Sequence, residues 1–147
     1  MKIVHKALVV VADGRKMLFF RNKGDAEFPN LVVEYGEEQP NPADRDQKSD
    51  AQGQRPSGAS PGQNSTAETD YHRQAEDAFA AHAADELKSR ALRNEFEELI
   101  IIAAPKVLGE MRKHYHKEVS SRLKAEISKD LTGHPPGKIE AILKDHG

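Results

Sequence analysis

The chemistry most visible in this sequence is cationic. Arg112-Lys113-His114-Tyr115-His116-Lys117, followed by Arg122 and Lys124, is the most basic part of the chain. Guanidinium and ammonium groups interleaved with a tyrosine can contact phosphate and stack on a base. Arg112, Lys113, Lys117, Arg122 and Lys124 are therefore candidates for RNA or anion binding, although the same run on a solvated helix face needs no ligand. His114 and His116 would share a face only on an extended segment. No third ligand accompanies them, so no metal site is expected. Lys106 and Gly109 follow directly on an apolar run that ends at Pro105. A helix starting there presents N–H groups to an anion, and the glycine serves equally for close packing against a neighbouring helix. No Ser-His-Asp order, P-loop or glycine-rich dinucleotide turn is present, so nothing supports nucleotide hydrolysis or hydride transfer.

These groups must be held by an alternation of strands and helices. Ala7 to Ala12 and Met17 to Phe20 are apolar runs flanking Asp13-Gly14, a hairpin signal in which glycine supplies a positive φ. Leu31 to Tyr35 is a third strand, which completes a meander. Thr69 or Asp70 caps a long helix through about Leu92, with Ala75, Phe79, Ala83, Leu87 and Ala91 forming one apolar stripe. Glu76, Asp77, Asp85, Glu86, Lys88 and Arg90 fall on its solvated face. Leu99 to Ala104 is apolar throughout, as a parallel strand covered on both sides requires. Pro105 suits the first turn of the next helix. Val119 to Thr132 fits either period; helix early and strand late, near Ala125 to Lys129, is the preferred reading. Pro135-Pro136-Gly137 opens a final helix carrying Ile139, Ile142 and Leu143. The order is β-β-β-α-β-α-β-α.

Gly36 to Ala67 is different material, rich in proline, glycine, serine and alternating charge with almost nothing apolar. It cannot bury enough surface to offset the entropy of ordering and reads as a long disordered loop. The 147 residues otherwise suit a single domain. Net charge is −2 and the pI about 6.4, so no global basic field exists and any RNA contact must be local. Cysteine is absent, which excludes disulfides and thiolate zinc sites. The opening MKIVHKALVVVADGRK reads as a first strand rather than a signal peptide, and no segment approaches the ~20 apolar residues of a membrane span. A soluble cytoplasmic protein is expected, with no cofactor and no membrane partner.

Several of these stretches resemble one family. AAPKVLGEMRKHY is similar to the APP-x-x-LG-x-LR stretch of the bacterial host-attachment proteins, named for a proposed role in attachment to host cells. KDLTGHPPGKIEAIL resembles their KDLT-x-x-P ending, and VVVADGRKMLFF their VADG-x-x-A-x-LF hairpin. DYHRQAEDAFAAHAADEL is similar to the family's helix. Together the motifs span nearly the whole chain apart from the loop. The family is related to the middle domain of archaeal and eukaryotic class-1 translation release factors. The resemblance therefore implies an RNase H-like α/β domain with a mixed five-stranded sheet.

Two site hypotheses follow from that resemblance. Release factors carry a Gly-Gly-Gln tip on the loop before the long helix, which helps water attack the ester of peptidyl-tRNA. Ser60-Pro61-Gly62-Gln63 occupies the corresponding place, and Gln52-Gly53-Gln54 precedes it. Gly62 and Gln63 are thus the catalytic candidates, although proline stands where the first glycine belongs and removes a donor and backbone freedom. RNase H-like nucleases hold magnesium with carboxylates, for which Asp13, Asp70 and Asp130 are available. Turn and cap roles explain all three without a metal. The reading that results is a non-enzymatic ribosome- or RNA-associated factor. Peptidyl-tRNA hydrolysis through Gly62 and Gln63, and an attachment protein with no translation role, are the alternatives.

Overall fold

The structure, a computed structural model, describes residues 1–39 and 61–146, with side chains in the long helix described from Asp70 onward. Five strands are present: β1 (Leu8–Ala12), β2 (Lys16–Asn22), β3 (Leu31–Glu38), β4 (Leu99–Ala103) and β5 (Leu123–Ser128). Four helices accompany them among the described residues: α1 (Pro61–Leu92), α2 (Pro105–Arg112), α3 (Lys117–Arg122) and α4 (Pro136–Asp145). The sheet order is β3-β2-β1-β4-β5. The first three strands pair antiparallel, as a meander, whereas β4 joins β1 and β5 joins β4 in parallel. The result is a mixed α/β fold.

Every residue of β1 and of β4 is buried, because helices cover both faces of the sheet centre. On one face Val10, Phe19 and Ile101 pack under Phe79, Ala83 and Leu87 of α1 and Leu108 and Met111 of α2. On the other, Val9, Phe20, Ile100 and Ile102 pack under Ile139 and Leu143 of α4. The alternation of side chains along a strand divides each apolar run between the two layers.

Several boundaries and roles differ from expectation. The Asp13-Gly14 turn contains no positive-φ glycine. Asp13 Oδ1 builds the turn instead, accepting from the Arg15 and Lys16 amides at 2.8 and 2.7 Å. A Cβ on Gly14 would stand 2.7 Å from the Glu76 side chain, an exposed and flexible neighbour. β3 continues through Gly36, Glu37 and Glu38, which pair with Leu18, Met17 and Lys16, so the polar segment begins three residues later than its composition suggests. Backbone pairing to β2 is indifferent to side-chain polarity there. α1 starts at Pro61 rather than at Thr69 or Asp70; proline's fixed φ suits a first helical position. It stops beyond Leu92, where Asn94 takes a left-handed φ of 57° and the Asn94 and Glu95 amides bond Ala91 and Arg90 carbonyls. The ambiguous segment from Val119 resolves in the expected order, helix then strand, but β5 runs over Leu123–Ser128 rather than near Ala125 to Lys129.

Arg90 is the largest departure. It is buried, not solvated, with its guanidinium 4.8 Å from the Phe19 ring and 4.9 Å from the Tyr35 ring. Glu34 accepts from Arg90 at 3.2 Å and from Arg21 at 2.9 and 3.1 Å. Arg21 also donates to the Lys6 and Glu95 carbonyls. The hydrogen bond from Arg21, reinforced by the charges of Arg21 and Arg90, holds the Glu34 carboxyl below its ordinary range. This network ties α1 to the edge strand.

Candidate functional site

β1 leaves toward β2 on one side and β4 leads toward β5 on the other, so the chain diverges at their carboxyl ends, where open α/β sheets bind ligands. A crevice of about 550 Å³ lies there, lined by Asp13, Gly14, Glu76, Lys106 and Asp130 among others. It shares Glu76, Pro105, Lys106 and Val107 with a groove of about 770 Å³ between α1 and α2. The two form one depression across the carboxyl end of the sheet.

Lys106, Gly109 and Lys113 line the groove together, at the spacing that places residues on one helical face, opposite His72 and Arg73 of α1. A Cβ on Gly109 would meet nothing within 4 Å, so this glycine is not explained by close helix packing. Lys106 is exposed and has no carboxylate partner among the described residues. It stands on the first turn of α2, where Ala104 supplies no side-chain cap. Lys113 is committed internally: its Nζ lies 2.9 Å from Glu110, whose other oxygen is 3.6 Å from His114. That hydrogen bond lowers the Glu110 carboxyl and raises the Lys113 ammonium, so both remain charged at neutral pH. Arg73, Lys106 and Lys113 line the groove together with Glu76, Asp77 and Glu110. The groove is balanced in charge, and recognition within it depends on position rather than on a bulk field.

The remaining cations of the basic run do not join this face. Arg112 turns toward β5 and pairs with Glu126 at 3.0 Å, which also accepts the Tyr115 hydroxyl at 2.8 Å. Burial, then that hydrogen bond, pushes the Tyr115 phenol well above its ordinary value. Arg122 goes to the segment that leads into β4, donating to the Phe96 carbonyl at 2.6 Å and to Asn94 at 2.9 Å. Lys124 bonds the Lys2 carbonyl and approaches Glu98 at 3.6 Å. Lys117 is exposed on α3 with no ion partner among the described residues. Adjacency in sequence thus scatters into three places, because a turn, a short helix and a strand intervene. His116 caps α3, its Nδ1 accepting from the Glu118 amide at 3.0 Å, apart from His114.

Of the three aspartates, two meet. Thr132 Oγ1 lies 2.9 Å from Asp13 Oδ2 and 2.9 Å from Asp130 Oδ1, so a loop after β5 is fastened to the β1 turn. One hydroxyl proton serves only one of these carboxylates at a time. Asp70 is exposed on α1, six residues before Glu76, which is the helix carboxylate that reaches the crevice. Glu76 lies on the solvated face, as its place in the helix period predicts, and no sequence signal marks its approach to Gly14, which comes from a distant turn. No group of three His, Asp or Glu side chains arranged for a metal occurs among the described residues. Gly62 and Gln63 lie in the first turn of α1, and their side chains fall outside the described residues, as does Gln52-Gly53-Gln54.

A family profile described as bacterial archaeo-eukaryotic release factor family 12 matches residues 6–143. The chain belongs to that family. The match spans every strand, all of α1 to α3 and nearly all of α4, so the release-factor relationship covers the whole fold and not a single motif. The family's description speaks of release factors and says nothing of attachment to host cells. No curated protein matches the chain.

Proposed function

We propose that this release-factor family member is a non-enzymatic, cytoplasmic binding domain that associates with the ribosome or another RNA, using the depression at the carboxyl end of its sheet. The observation that carries the reading is the convergence of Lys106, Gly109 and Lys113 with Arg73 on one groove beside the uncapped start of α2. Backbone N–H groups and an exposed ammonium suit a phosphate oxygen, and Gly109 leaves room for a backbone to approach. The RNase H-like class implied by the resemblance is supported by the meander followed by parallel β4 and β5. No helix among the described residues is long and apolar enough to cross a membrane.

The test is sedimentation of tagged protein from lysate on sucrose gradients at low and high salt. Comigration with ribosomal particles that is lost at high salt is expected. Arg73→Glu combined with Lys106→Glu should abolish comigration while leaving the far-ultraviolet spectrum unchanged. Changing Arg112 and Arg122 instead should reduce stability more than binding. Protein confined to the top fractions under all conditions overturns the proposal. Hydrolysis of a peptidyl-tRNA ester by the wild type, lost in Gln63→Ala, would overturn its non-enzymatic part.

A further inference from the structure

We draw no further inference here: the strongest candidate outside the site already described, the cleft at the amino-terminal edge of the sheet where His5, Lys23, Glu95 and Phe96 surround Arg21, carries nothing, because Arg21 spends its donors on Glu34 and on the Lys6 and Glu95 carbonyls and nothing in the structure shows what would fill the cleft.

Discussion

Arg90 shows how a single side chain can join sequence positions that composition would separate. Its guanidinium lies against two aromatic rings and shares Glu34 with Arg21, so removing it leaves Phe19 and Tyr35 without their cation and Glu34 with a single partner. Arg90→Ala is expected to cost about 2–4 kcal/mol, by analogy with breaking other largely buried ion pairs. Urea denaturation measures it, and a loss below ~0.5 kcal/mol would place Arg90 among ordinary surface cations. The same network sets a pH dependence. The Glu34 carboxyl is lowered in the folded state, so its contribution is present above the ordinary carboxylate range and is lost as pH falls below it. Tyr35 behaves oppositely. Its hydrogen bond to Glu37 raises the phenol to about 12, so this contribution is full below pH 10 and disappears as pH rises toward 12. Stability curves should therefore lose part of their acid limb in Glu34→Gln and part of their alkaline limb in Tyr35→Phe.

At the scale of elements, α2 is the most instructive. It is short, starts at proline, buries Val107, Leu108 and Met111, and presents Lys106, Gly109 and Lys113 to the groove. A glycine within a helix costs roughly 0.5–1 kcal/mol relative to alanine. With open space around its missing Cβ, Gly109→Ala should stabilise the fold by about that amount. Weakened ribosome comigration in the same variant would show that the groove needs the glycine for contact. A variant that is less stable than wild type would instead mean that the groove is filled. α1 divides in two along its length. Among the described side chains, from Asp70 onward, its buried residues run from Phe79 to Ala91. The stretch from Asp70 to Ala78 contributes groove walls and little core.

Over the whole molecule, the two covered faces of the sheet make one cooperative unit. Ile100 and Ile101 are neighbours in β4, fully buried, and point into opposite layers. Replacing either by alanine should cost about 2–5 kcal/mol. Both variants should keep a single transition with an unchanged urea slope, which fluorescence and circular dichroism read in parallel. Divergent midpoints from the two probes would show that the layers unfold separately.

The sequence alone determined the strands, the meander, the final helices and the buried centre. Runs such as Leu8–Ala12 and Leu99–Ala103 have no polar side chain to expose, so burial on both faces was their only favourable state. It also carried the family, through short motifs that survive in order along the chain. Only the tertiary structure decided which polar residues meet. Arg90 left the solvated face because Phe19, Tyr35 and Glu34, from two distant strands, close over it. Glu76 of α1 and Gly14 of the β1–β2 turn came to line one crevice, and Asp13 joined Asp130 through Thr132 from the far end of the chain. The basic run failed to make one patch because Arg112, Lys113, Arg122 and Lys124 each found a different carboxylate or carbonyl that folding offered. Burial of apolar runs is a local property and can be read along a chain. Polar pairing is set by contacts between segments far apart in sequence, and periodicity carries no record of them.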